Sequence, residues 1–377
     1  MRIVISPFWS SFFLCLALLF APILNASARD SEFEKSLDDV FRDSGLLGLA
    51  VAVVREGKLS SIQTFGSLEF GGTDLVDEES RFRIASLSKA FASTLVVQLQ
   101  QEDKLSLSDK AVASNPSFDL KNSKHAKSVN LSHVLSHRVS LPPYAYDNLL
   151  EANVAPSKIL AEMKKVTPIC SVAKCYAYQN VAFNMSASAI ELADEVTYAE
   201  SLTQRIFKPL NMRSASVGEA GLRIDQNWAR SYRRRGLTGD WKEVSVKPAY
   251  YRVPAAGGVN ASISDMSKWL LAQLGKAPEV LSSEVLALTH APQVRTQREL
   301  RRTRSLPNVV DAHYGLGWRI YSYKGSPVVN HSGSVEGYAA QIAFIPETES
   351  GVVLLTNSRT RSFWEILPKF LDQELGL

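Results

Sequence analysis

Apolar and polar positions alternate on different periods in different parts of this chain, and the changes of period outline its architecture. Leu49 to Val54 is an unbroken apolar run, followed by Glu56-Gly57-Lys58 and a second run from Leu59 to Phe65. That pattern predicts a hairpin whose first strand is covered on both faces. Helical spacing from Ser31 to Arg42 predicts a helix before it. A longer helix is predicted to begin near Ser86 and to continue through Phe91, Leu95, Val96 and Leu99. From about Lys104 to Ala255 the signals are mainly helical, broken by loops at Pro116, Pro142-Pro143, Pro156, Pro168 and Pro209. Strand signals return at Leu316 to Tyr323, Pro327 to His331, Tyr338 to Ile345 and Gly351 to Thr356, and a last amphipathic helix is predicted over 361–375.

Strands at both ends with helices between them predict an α+β fold. One antiparallel sheet is built from the two termini and flanked by helices, and a mostly helical region is inserted into it. The expected division is one domain over 29–377. Its α/β part covers about 29–104 and 256–377, and its helical insertion about 105–255. The cleft between the two parts is the expected place for a site.

The first 28 residues read as an export leader. Arg2 supplies the positive region, Phe12 to Leu24 the hydrophobic one, and Ala26-Ser27-Ala28 a small-residue cleavage site. Removal leaves a chain starting at Arg29, exported to a periplasm or secreted. No later stretch is long and apolar enough to predict a membrane span. Cys15 would leave with the leader, so Cys170 and Cys175 remain, and an oxidising compartment predicts their pairing.

Apolar residues make up 45% of the chain and charged residues 21%, which suits a packed core rather than disorder. The net charge of +4, or +3 once Arg2 is gone, is too mild to predict a nucleic-acid partner. Local basic runs, Arg233 to Arg235 and Arg295 through Arg298, Arg301, Arg302 and Arg304, suit solvated loops or attraction to an anionic cell-wall polymer.

Three short motifs carry candidate chemistry. In Ser86-Leu87-Ser88-Lys89, residues three apart share a helix face, so the Ser86 hydroxyl meets the Lys89 amine. A serine becomes a nucleophile when a neighbouring base takes its proton, and a lysine serves once burial lowers its pKa. Ser171-Val172-Ala173-Lys174 repeats the spacing, but in a loop between the two cysteines. Ser86 instead opens an apolar helix, where backbone N–H groups favour negative charge. In Tyr178-Gln179-Asn180, a tyrosine beside a lysine is expected to lose its proton readily, and the Asn180 amide to bind a substrate carbonyl. Tyr146-Asp147-Asn148 repeats that spacing and is set aside, because Val181 to Ala193 predicts a buried helix anchoring Tyr178. The third motif, His331-Ser332-Gly333, ends a predicted strand. Gly333 lets a substrate backbone approach, and Ser334 and Ser86 offer N–H groups for an oxyanion hole.

Together these motifs resemble the class C β-lactamases, the related D-alanyl-D-alanine carboxypeptidases and the esterases that share their fold. The likeness runs from about Phe33 to Leu367. It includes Phe82-Arg83-Ile84-Ala85-Ser86, Leu131 to Leu141, Ile206 to Met212, Ala256-Gly257-Gly258-Val259 through Trp269, and Tyr314-Gly315-Leu316-Gly317-Trp318. The resemblance implies Ser86 as nucleophile, Lys89 and Tyr178 as proton relay, Asn180 as amide-carbonyl binder, and His331, Ser332, Gly333 and Ser334 as the strand that receives substrate. It implies a penicillin-recognising serine hydrolase that works through an acyl-enzyme without a cofactor or metal. D-alanyl peptides rank first as substrates, β-lactams second and small esters third. A homologue that binds cell wall without turnover is the alternative outside enzymes.

Three departures from the family pattern bear on substrate. His331 stands where the lactamases have lysine, Arg138-Val139-Ser140 replaces Thr-Ser-Gly, and Pro168 to Cys175 replaces a Pro-Gly turn. His331 at the cleft predicts carboxylate binding that weakens as pH rises through its pKa. His133 and His137 share zinc-ligand spacing but lack the glutamate of His-Glu-x-x-His, and no Gly-x-Ser-x-Gly occurs in the chain.

Overall fold

The structure, a computed structural model, describes residues 21–234, 239–302 and 306–377. Of the expected leader, residues 1–20 lie outside the described residues. Ala21 to Ala28 form the first turns of helix α1 (Ala21–Ser44), which is longer than the helix predicted from Ser31. Arg235 and Arg304 of the basic runs also lie outside. Among the described residues, no helix is long and apolar enough to cross a membrane.

An eight-stranded antiparallel sheet organises the molecule. Its strands are β1 (Gly48–Arg55), β2 (Lys58–Gly66), β3 (Val294–Arg295), β4 (Val309–Tyr314), β5 (Arg319–Tyr323), β6 (Ser326–Val335), β7 (Tyr338–Ile345) and β8 (Ser350–Thr356). They lie in the order β2-β1-β8-β7-β6-β5-β4-β3, so the first hairpin docks on the last strand, with Val51 opposite Leu354. The continuous apolar run of β1 follows from this central place: each face of the strand enters a different core. Ala50, Ala52 and Val54 pack with Phe91, Leu95 and Trp269 on one side. Leu49, Val51 and Val53 pack with Phe33 and Phe370 on the other. Burying each valine or leucine of β1 is worth roughly 1.5–3 kcal/mol.

Helix α2 (Ser88–Gln101) lies on the first face with α3 (Met185–Asp194) and α4 (Ile263–Gln273). Phe91 of α2 stacks on Trp269 of α4, with ring centroids 3.9 Å apart. The other face is covered by α1 and by α5 (Ile366–Glu374). The region over 105–255 is less uniformly helical than its spacing predicts. It includes the hairpin Tyr232–Arg234 with Trp241–Glu243, and Ser216–Val217 joins a three-stranded sheet.

Two differences from the predicted strands have clear causes. Strand β4 was not expected because it is half exposed, with Asp311 and His313 interrupting a short apolar pattern. Strand β5 begins at Arg319 rather than Leu316 because the chain turns there. Gly317 takes φ +75°, and a Cβ on it would lie 2.6 Å from the Lys89 carbonyl oxygen. The basic runs are partly engaged: Arg295 pairs with Asp311, and Arg234 lies over the Trp241 ring.

Ser140 adopts φ +73° at the position where the resembling family has glycine, and its buried hydroxyl has no hydrogen-bond partner. A left-handed non-glycine residue costs roughly 1–2 kcal/mol, partly offset by the greater freedom of glycine in the unfolded chain. Ser140→Gly should therefore raise stability by about 1 kcal/mol, read from the denaturant midpoint. An unchanged or lower midpoint would show that this loop is not strained at Ser140.

Candidate active site

The Ser86 turn is built by a tight break between strand and helix. Phe82–Arg83 forms a short strand, Ala85 takes φ +49°, and Ala85–Leu87 make one 3₁₀ turn before α2 begins at Ser88. A left-handed alanine persists only where its surroundings hold it. Here the Ser88 hydroxyl donates to the Ala85 carbonyl at 2.7 Å and accepts from the Val259 N–H at 3.0 Å. Ser86 is left half-buried at the open end of the helix, lining a cleft of about 360 Å³.

Lys89 is fully buried beneath it. Its Nζ lies 3.4 Å from Ser86 Oγ, 2.8 Å from Asn180 Oδ1 and 2.8 Å from the Ala256 carbonyl oxygen. Burial pushes the Lys89 amine well below the usual lysine range; Asp147 opposes that shift and Arg319 adds to it. The Tyr178 hydroxyl hydrogen-bonds Ser86, and its ring lies 4.7 Å from Lys89 Nζ. The expectation that Tyr178 loses its proton readily is reversed. Burial raises its pKa above the ordinary phenol range, outweighing Arg319 and the Ser86 hydrogen bond.

Asn180 joins two groups rather than facing the cleft alone. Its Oδ1 accepts from Lys89, and its Nδ2 donates to Asp147 Oδ2 at 2.6 Å. Asp147 belongs to the Tyr146-Asp147-Asn148 match that sequence reasoning set aside. Chain distance hid its role, because a turn at Tyr144 to Tyr146, with φ of +58° and +60° at those two residues, brings it to the cleft.

Strand β6 supplies the opposite wall. It pairs with β7 as far as Val335, whereas its β5 partner ends at Arg319 opposite Asn330. The segment from His331 to Val335 thus extends beyond β5 along the cleft, and all five residues line it. A Cβ on Gly333 would lie 2.8 Å from Ser86 N and 2.6 Å from Ile84 O, so glycine lets the strand close on the Ser86 turn.

His331 does not present a titrating charge to the cleft. It is 1% exposed, its Nδ1 lies 2.9 Å from the Ser332 carbonyl oxygen, and its Nε2 lies 3.0 Å from the Tyr314 hydroxyl. Burial, with Arg319, Lys89 and His137 nearby, pushes its pKa well below the usual histidine range. The expected pH-dependent carboxylate contact is therefore corrected: the side chain is occupied and neutral. The permanent cation on the cleft wall is Arg319, which sequence reasoning missed. It pairs through Nε with Glu299 at 3.2 Å, lies over the Tyr178 ring and leaves buried Nη1 without a partner.

The remaining candidates lie elsewhere. Cys170 and Cys175 are joined in a disulfide on the loop entering Tyr178, and Ser171 and Lys174 sit within that loop. His133 and its N-cap Asn130 exchange hydrogen bonds at the start of a short helix, and His137 packs against Tyr178. No group of three or more potential metal ligands occurs among the described residues.

Comparison with known proteins places this chain in a wider group. The profile of the family described as Beta-lactamase matches residues 31–372. "Unguisins hydrolase ungD" of Aspergillus violaceofuscus is 23% identical over 95% of this chain and 67% of its own length. "Protein flp" of Staphylococcus aureus is 21% identical over 86% of this chain and 61% of its own. The chain thus spans about three fifths to two thirds of these relatives. The octameric penicillin-binding protein homologue from Pyrococcus abyssi superposes with a TM-score of 0.79 at 21% identity, covering 92% of this chain and 77% of that one.

The Gly333 contact generates a direct test. Gly333→Ala must push the strand off the Ser86 turn, and displacement of about 1 Å at a reacting centre costs on the order of 100-fold in rate. Acylation of Ser86 should fall by that factor while circular dichroism stays native. A native rate in a folded variant would show that this wall plays no part.

Proposed function

The chain belongs to the Beta-lactamase family, and from that premise we propose that it is an exported serine hydrolase that forms an acyl-enzyme on Ser86, with D-alanyl peptides as first substrate class. The fold is that of the β-lactamases and penicillin-binding proteins, a serine-hydrolase fold. One observation carries the chemistry: the three neighbours of Lys89 Nζ. In the neutral amine, two N–H groups donate to Asn180 Oδ1 and Ala256 O, and the lone pair is left for the Ser86 hydroxyl. Desolvation favours that neutral form.

Acylation then proceeds with a balanced proton. Ser86 Oγ attacks the substrate carbonyl carbon as its proton passes to Lys89. The tetrahedral oxyanion is held by the backbone N–H groups of Ser86 and Ser334. The carbon–nitrogen bond breaks, and the leaving amine takes the Tyr178 hydroxyl proton, which Lys89 replaces. Tyr178 suits this acid role because its raised pKa keeps it protonated at rest. Water later attacks the ester, its proton returns through the same groups, and Ser86 is released. A terminal carboxylate on the substrate is matched by Arg319 rather than His331, because a guanidinium keeps its charge across the working pH range.

The buried lysine also favours an enzyme over an inactive wall-binding homologue. Holding an amine out of water is costly, and a binding surface has no use for it. β-Lactams and small esters fit the same acyl chemistry and follow as second and third classes. Export rests on the leader-like N-terminus and agrees with a disulfide-bearing loop. The basic runs suit attraction to anionic cell-wall polymer.

Intact-mass measurement after incubation with a D-Ala-D-Ala peptide, a cephalosporin and a short-chain ester tests the proposal. The expected result is an adduct mapped to the Ser86 peptide, absent in Ser86→Ala, with the peptide reacting fastest. An adduct on Ser171, or none from any donor, would overturn it.

A further inference from the structure

A continuous hydrogen-bonded chain crosses the protein beneath the cleft. The Gln179 backbone N–H donates to His137 Nδ1 at 3.1 Å, and His137 Nε2 lies 3.2 Å from the Tyr314 hydroxyl. That hydroxyl lies 3.0 Å from His331 Nε2, and His331 Nδ1 lies 2.9 Å from the Ser332 carbonyl oxygen. His137, Tyr314 and His331 are each at most 1% exposed.

The two ends fix every proton between them. A backbone N–H only donates, so His137 Nδ1 is bare and its proton sits on Nε2, pointing at Tyr314. A backbone carbonyl only accepts, so His331 carries its proton on Nδ1 and presents a bare Nε2. The Tyr314 hydroxyl accepts from the first ring and donates to the second. Adding a proton to His137 Nδ1 would set it against the Gln179 N–H. Adding one to His331 Nε2 would remove the acceptor of the Tyr314 proton. The chain closes only with both histidines neutral and in opposite tautomers. The charged groups around it agree: Arg319 disfavours a further positive charge, and Glu299 is engaged by Arg319.

We propose that Tyr314 is a positioning residue that, through two neutral histidines of opposite tautomer, fixes the segment Tyr178 to Asn180 relative to the strand His331 to Ser334. Gln179 is flanked by Tyr178 and Asn180, and Ser332 precedes Gly333, so the chain ties the two walls on either side of Ser86. The importance of those walls rests on the proposed function; the proton arrangement does not.

Two-bond ¹H–¹⁵N NMR of histidine-labelled full-length protein reads the tautomers directly. The expected result is an Nε2–H form for His137, an Nδ1–H form for His331, and no titration of either between about pH 8 and 5.5, across the ordinary histidine pKa. A shared tautomer, or a titration near about 6.5 for either ring, would overturn the proposal. Tyr314→Phe keeps both end contacts, so the tautomers should stay as they are while Ser86 acylation slows about tenfold with little change in KM. Lower stability with native acylation would also overturn it, because Tyr314 would then be structural only. If Tyr314→Phe does not fold, the wild-type spectra decide alone. Opposite tautomers in a protein that no acyl donor labels would uphold the network and overturn the functional reading.

Discussion

Removing the Lys89 amine from water constrains everything around it. A charged ammonium in that position carries a desolvation penalty of several kcal/mol, so the group is driven towards the neutral amine. Neutral or charged, its N–H groups need acceptors, and these come from two distant parts of the chain: Asn180 from the helical region and Ala256 from the turn before α4. Each acceptor is itself held. Asn180 leans on Asp147, and Ala256 lies in the short helical turn Pro254–Gly257, whose Ala255 N–H donates to Asn184 Oδ1. The packing requirement of the lysine thereby fixes its amine beside Ser86.

The sheet supplies the second constraint. Strand β6 outruns its partner β5, and Gly333 lets the overhanging segment close against the Ser86 turn. Gly317 lets the chain turn into β5 over the Lys89 carbonyl. Both glycines answer the same demand, that strand backbone lie against the turn and helix that carry Ser86 and Lys89. The wall at Gly333 and the turn at Ser86 thus stand on a strand and a helix, while Tyr178 to Asn180 come from a loop.

How much of this was legible in the sequence depended on the range of the signal. Ser86 and Lys89 are three residues apart on a helix, so their approach follows from local geometry. The hairpin and the strands β6 to β8 are visible in continuous apolar runs. Strand β4 was missed because Asp311 and His313 break a short pattern. Asp147 was set aside and Arg319 overlooked because their proximity to Asn180 and Tyr178 arises only when distant segments meet. His331 was misread for a related reason. Burial and a tyrosine contributed by another strand remove its charge, and neither can be read from a histidine at a strand end.

The account stands most directly on the protonation state of Lys89 at rest. The pH dependence of the second-order rate of Ser86 acylation, measured with a neutral ester from about pH 5 to 10, reads that state in the free enzyme. A group whose pKa is lowered loses its proton early, so the rate should be flat at neutral and alkaline pH and fall only on the acid side. An ordinary lysine, with a pKa near 10.4, would instead make the rate climb about tenfold per pH unit through neutrality. That climb, absent in a Lys89→Arg control, would contradict the account.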